Sequence, residues 1–183
     1  MEGFYYFRLG SKPKDETSVL YYSNITDEDP LFLDRNFLPN KDPRTKRLVL
    51  VSDTHDRYRC LGVIPAGDNF VHAGDILMTS SKISVTRGEE KLRDFNAWLG
   101  DLDFKHKIVI GGNHDKTIER IGVEKTRSIL SNSTYLENES LEIDDSIKLF
   151  ATPLSSGKSH NDAFQAPAFN HLARDTVNNL PKR

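Results

Sequence analysis

Three short polar segments hold the residues of this chain best suited to chemistry: Asp53-Thr54-His55, Gly74-Asp75 and Gly112-Asn113-His114-Asp115. Each follows an apolar run, respectively Leu48-Val49-Leu50-Val51, Asn69-Phe70-Val71-His72-Ala73 and Lys107-Ile108-Val109-Ile110. Continuous apolar runs of this length have the pattern of buried parallel strands. In open α/β sheets ligands bind beyond the carboxyl ends of the strands, so three such ends would bring these side chains to one place. Asp53 and Asp75 offer hard carboxylate oxygens, His55 an imidazole nitrogen and Asn113 a neutral amide oxygen. That donor set suits a borderline divalent ion such as manganese, iron or zinc. Two carboxylates brought close together also call for cations between them. His114, beside a glycine turn and Asn113, is placed where a leaving oxygen would need a proton. Gly74 and Gly112 permit tight turns directly after a strand and let backbone approach a ligand closely. Taken singly the segments say little, because an Asp after a strand is ordinarily a turn residue or a helix cap. All three in this order specify a metal site.

The elements that must position these groups can be read around them. A helix is expected between Gly88 and Gly100, with Leu92, Phe95, Trp98 and Leu99 on one face. Strand, helix and strand in succession predict βαβ units and a parallel sheet, an α/β fold. A second helix is expected over Val123 to Leu130. Leu141-Glu142-Ile143 and Ile147-Lys148-Leu149 flank Asp144-Asp145-Ser146 as a hairpin. Pro153 to Gln165 reads as loop, and Leu172 to Leu180 as a short helix before Pro181. Residues 1–45 read as an N-terminal extension, with short strands at Phe4-Tyr5-Tyr6-Phe7 and Val19-Leu20-Tyr21-Tyr22 set among prolines and charges. Residues 46–183 then form the domain that carries the site. His72 is expected to be buried and hydrogen-bonded behind the site, and Phe95 and Trp98 to be helix core. Lys46, Arg57, Arg59 and Lys116 flank the site as ordinary solvated charge.

A length of 183 residues fits one domain. The formal net charge of −2 gives no reason to expect a nucleic-acid or membrane partner held by bulk positive charge. Cys60 is the sole cysteine, so no internal disulfide can form, which fits a reducing compartment. Met1 to Gly10 lacks the apolar core of a signal peptide, and no stretch approaches the roughly 20 apolar residues of a membrane span. A cytoplasmic location is the resulting expectation. Neither a Gly-x-Gly-x-x-Gly nor a Cys-x-x-Cys motif occurs, which disfavours a dinucleotide-binding or redox domain.

The three motifs resemble the first three motifs of the calcineurin-like metallophosphoesterases. Val51-Ser52-Asp53-Thr54-His55, His72-Ala73-Gly74-Asp75, Phe95-Asn96-x-Trp98-Leu99-Gly100 and Lys107-Ile108-Val109-Ile110 are similar to the metallophosphoesterase-domain-containing phosphodiesterases within that superfamily. The resemblance spans about Lys46 to Leu154, more loosely to Pro181, and not the first 45 residues. It implies an α/β/β/α sandwich holding two divalent metal ions and a phosphate-ester substrate. It also implies that Asp53 and His55 hold the first metal, Asp75 bridges both and Asn113 holds the second. His114 would be the proton donor or transition-state stabiliser, oriented by Asp115.

The family's later histidine motifs, one of them Gly-His-x-His, are not visible. After His114 the histidines are His160 and His171, and neither follows an apolar strand. The expectation is therefore a sandwich incomplete at its C-terminus, with an underfilled second metal site. The alternative to a working hydrolase is a truncated or pseudoenzyme module that binds or regulates with little or no hydrolysis.

Overall fold

The computed structural model describes residues 4–8, 18–22, 31–79, 82–144, 147–156 and 163–166. Its centre is a seven-stranded sheet in the order β3-β2-β1-β4-β5-β6-β7. The strands are β1 (Phe4–Arg8), β2 (Ser18–Tyr22), β3 (Leu31–Asp34), β4 (Leu48–Ser52), β5 (Asn69–Ala73), β6 (His106–Ile110) and β7 (Thr134–Leu136). β1, β4, β5, β6 and β7 run parallel, and β2 and β3 continue the sheet antiparallel. The three strands read in the sequence as parallel thus lie side by side at the middle. The sheet also continues across the 45/46 boundary, since β1 from the N-terminal stretch pairs with β4 in register from Phe4↔Leu48 to Arg8↔Ser52.

Alternation along the strands divides the core in two. Val49, Val51, Phe70 and Val109 face α1 (Val85–Gly100) and α2 (Lys116–Ile129), packing with Leu92, Phe95, Trp98, Leu99 and Ile118. Val71, Ile108 and Leu136 face the opposite way, onto a hairpin of β8 (Glu139–Ile143) and β9 (Ile147–Ala151). That hairpin is antiparallel, with Leu141↔Leu149 and Ile143↔Ile147 as cross-strand pairs. Burial of each such aliphatic or aromatic side chain contributes about 1.5–3 kcal/mol, so both faces of the sheet are held by apolar packing. The fold is α/β: a largely parallel sheet with helices on one face and a two-stranded hairpin on the other. No helix among the described residues is long and apolar enough to cross a membrane.

Both helices begin earlier than periodicity suggested, each because of a glycine. Ser84 caps α1, its hydroxyl accepting from the Arg87 amide at 3.3 Å, and Gly88 lies inside the first turns. A Cβ on Gly88 would stand 2.0 Å from Thr117 Oγ1, so this glycine lets α1 press against α2. In α2, Gly122 has φ +74° and interrupts the helix, and Val123 onward is only its second half. The stretch read as loop contains a two-residue parallel pair, β10 (Ser155–Ser156) with β11 (Gln165–Ala166). His160, His171 and the expected helix at Leu172 to Leu180 lie outside the described residues.

Candidate metal centre

β4, β5 and β6 end level with one another, as the pairs Val51↔His72 and Ala73↔Ile110 show. The loops that follow are joined through their backbones. The amides of Asp53, His55 and Asp56 donate to the carbonyls of Gly74, Asp75 and Ile76 at 3.1, 3.0 and 2.9 Å. The third loop locks onto the second: the His114 amide donates to Asp75 Oδ1 at 2.9 Å, and both the amide and the hydroxyl of Thr79 donate to the His114 carbonyl, at 3.1 and 2.9 Å. Asp115 is fully buried and takes three backbone amides, Leu77 on Oδ1 at 2.8 Å and Ile76 and Gly112 on Oδ2 at 3.2 and 2.8 Å. Its carboxylate therefore ties the second and third loops together. Burial, with Asp75 nearby, pushes the Asp115 carboxyl up to about 7 against the pull of those amides.

The glycines explain how the loops come so close. A Cβ on Gly112 would lie 2.3 Å from Asp75 Oδ1 and 2.4 Å from Asp75 N, and one on Gly74 would lie 2.9 Å from the Gly111 carbonyl. What approaches these glycines is the neighbouring turn. Four non-glycine residues here, Asp53, His55, Asp56 and Asp75, have φ between 46° and 66°. Left-handed backbone costs a non-glycine residue roughly 1–2 kcal/mol, and such conformations gather at functional sites where the surroundings over-determine them.

Within this frame His55, Asp75 and His114 each offer one ligand atom, and the three atoms lie within 4.8 Å of one another. The rings of His55 and His114 meet edge to face with centroids 4.5 Å apart. His55 Nδ1 is buried with no hydrogen-bond partner, which fits a nitrogen that awaits an ion. Nitrogen and carboxylate donors this close suit a borderline divalent cation. Asp53 stands outside the cluster: its Oδ2 accepts the Ser52 hydroxyl. Asn113 is half-buried on the third loop, and its carbonyl accepts the Ala163 amide at 3.3 Å. His114, read in the sequence as standing beside the ligands, shares their cluster.

Behind the site, His72 is fully buried, with Nε2 2.9 Å from Thr54 Oγ1, as expected. Burial, with the charge of His55 adding, pushes it down to about 3, so it is neutral at ordinary pH. Phe95 and Trp98 are helix core. The flanking cations Lys116, Arg59 and Lys46 pair with Glu119, Asp94 and Asp144 at 2.5, 2.7 and 3.5 Å, and Arg57 is exposed. One support has no signal in the sequence. The amide of Phe164 donates to Glu119 Oε1 at 2.8 Å, and the Phe164 ring fills the place a Cβ on Gly111 would occupy, 2.8 Å from it. A segment far along the chain thus braces the loop that bears Asn113 and His114.

No protein-family profile matches the chain. It is 34% identical over 142 residues to a UPF0046 protein of Caenorhabditis elegans, covering 69% of this chain and 46% of that one. It is 40% identical over 80 residues to metallophosphoesterase domain-containing protein 1 of Homo sapiens, covering 44% of this chain and 22% of that protein. A protein of Emericella nidulans named "Probable rhamnogalacturonate lyase C" is 35% identical over 130 residues, which are 66% of this chain and 11% of that protein. The chain spans less than half the length of each of these relatives. Together with the His55, Asp75 and His114 cluster, these likenesses suggest a metallophosphoesterase-like relationship.

Proposed function

We propose that this chain carries the metal centre of a phosphoesterase that hydrolyses small phosphodiesters or phosphomonoesters, within an α/β/β/α sandwich. The observation that carries the reading is the gathering of His55, Asp75 and His114 at the ends of adjacent parallel strands, with a buried, unpartnered nitrogen on His55. The residues that would hold two divalent ions, manganese, iron or zinc, are Asp53 and His55 for one, Asp75 for both and Asn113 for the other. When bound, the ions supply Lewis acidity to the phosphoryl oxygens and lower the pKa of water for attack.

The chain's own residues do the rest. His114 hands a proton to the leaving oxygen, its ring held beside His55 and its backbone fixed by Asp75 and Thr79. Asp115 acts through the backbone: by gripping the amides of Ile76, Leu77 and Gly112 it holds Asp75 and His114 in one frame. The Thr79-to-His114 and Asp56-to-Ile76 bonds keep the loops from parting as substrate enters.

The test is to strip the purified chain of metal, add manganese, iron(II) or zinc, and follow hydrolysis of bis(p-nitrophenyl) phosphate. Metal uptake with at most slow hydrolysis, which needs added metal and disappears in Asp75→Asn, is the expected result. Metal uptake without hydrolysis by the native chain would move the reading to a metal-binding regulatory module. Absence of metal uptake would refute the centre itself.

A further inference from the structure

We propose that His72 is a positioning residue for the metal centre: by donating from Nε2 to the Thr54 hydroxyl, it sets the turn that presents Asp53 and His55 to a divalent cation. This rests on the reading of Asp53 and His55 as metal ligands and adds a residue that reading does not use. Thr54 is fully buried, so its side chain turns into the protein, while Asp53 and His55 on either side of it are half-buried. Its Oγ1 is 2.9 Å from His72 Nε2 and donates to the Ile76 carbonyl at 3.3 Å. A hydroxyl has one proton, so with that proton on Ile76 the oxygen accepts from the imidazole, and His72 is the Nε2–H tautomer. The bond staples the loop after β4 to the strand that leads into Asp75, beneath the backbone bonds that join the same two loops above.

Two further observations make this more than core packing. Asp53 and His55, on either side of Thr54, have φ of 56° and 46°, and a turn with two left-handed non-glycine residues needs a hold from outside itself. His72 Nδ1, meanwhile, is buried with no partner, and the ring packs edge to face on Phe95 with centroids 5.2 Å apart. A buried acceptor left unsatisfied destabilises the fold, where an apolar side chain of similar volume would not. For the core alone histidine is a poor choice, and its one hydrogen bond goes to the residue between two ligands.

The experiment titrates the metal-free chain with manganese by calorimetry, comparing His72→Leu, Thr54→Val, the double variant and His72→Gln. Each single variant should bind about tenfold more weakly. The double variant should be no weaker than either single, and His72→Gln, which restores a donor, should recover most of the affinity. The urea midpoint of His72→Leu at neutral pH should equal or exceed that of the native chain. Undiminished affinity in Thr54→Val, additive losses, or a Gln variant no better than Leu would each overturn the proposal. If His72→Leu fails to fold, Thr54→Val and His72→Gln still decide it. If the native chain takes up no metal, the functional reading falls by itself. The positioning role is then decided by imidazole nitrogen spectra of the metal-free chain. His72 must be the Nε2–H tautomer, and Thr54→Val must shift the His55 ring signals while leaving those of His106 in place. Unmoved His55 signals would overturn the inference.

Discussion

Substituting alanine for Gly112 tests the interlocked turns directly. The new Cβ would stand 2.4 Å from Asp75 N and 2.3 Å from Asp75 Oδ1. The carboxylate can swing aside, at the cost of its 2.9 Å bond from the His114 amide; the backbone nitrogen cannot. Roughly one ångström of extra separation must open between the second and third loops to reach ordinary contact. Overpacking of this kind costs about 1–3 kcal/mol, and loss of the charge-assisted amide bond a further 1.5–3 kcal/mol or so. A stability loss of about 2.5–6 kcal/mol is expected, read from the urea midpoint. Because the displacement falls on Asp75 itself, manganese affinity measured by calorimetry should drop about 10–100-fold. Gly122→Ala is the control. Its φ of +74° makes alanine strained, but nothing lies within 4 Å of the added carbon. It should lose about 1–3 kcal/mol from strain alone and keep its metal affinity. Native affinity in Gly112→Ala, or equal affinity losses in the two variants, would refute the claim that these turns position Asp75.

Asp75→Asn should keep the fold, because an amide oxygen can still accept the His114 N–H, yet lose manganese affinity at least tenfold; calorimetry beside circular dichroism separates the two effects. His114→Ala should lower turnover of an aryl phosphodiester about 10²–10⁴-fold while removing far less metal. Parallel losses of rate and metal would make His114 a ligand. His72 is held near 3 when folded, below its ordinary unfolded value, so its contribution to stability is complete above about pH 6.5 and is lost as pH falls toward 3. In the metal-free chain, His72→Leu should gain on the native protein by about 1.4 kcal/mol per pH unit between pH 6 and 4, read from urea midpoints. A difference that does not change with pH would refute the buried, neutral state of His72.

The meeting of three polar segments was legible because each follows an apolar run at once or after a single residue, and the strand direction does the rest. Leu48 to Val51 and Lys107 to Ile110 declare themselves as buried strands by composition alone. Thr134–Leu136 does not, being three residues long at the sheet's edge with polar residues on either side. Gly88 and Gly122 misled the helix boundaries for opposite reasons. The first is in the helix because a neighbouring helix leaves no room for a side chain, which only the tertiary contact reveals; the second really does break its helix, but in the middle. The placement of His114 among the ligand atoms depends on a turn geometry that residue types do not encode. The brace from Phe164 onto Glu119 and Gly111 is a long-range contact with no local pattern at either end.

That brace also orders events during synthesis. The strands β4, β5 and β6, with α1 between the last two, are contiguous in the chain and can pair as soon as residue 110 is made. The loop bearing Asn113 and His114 follows at once, but its support at Phe164 lies 45 residues beyond Glu119. At the usual 5–20 residues per second, ribosomes need roughly 2–9 s to supply it. For that interval the sheet stands with the face of Gly111 uncovered and Glu119 without its amide. The newborn sheet is thus assembled before the third loop gains its brace.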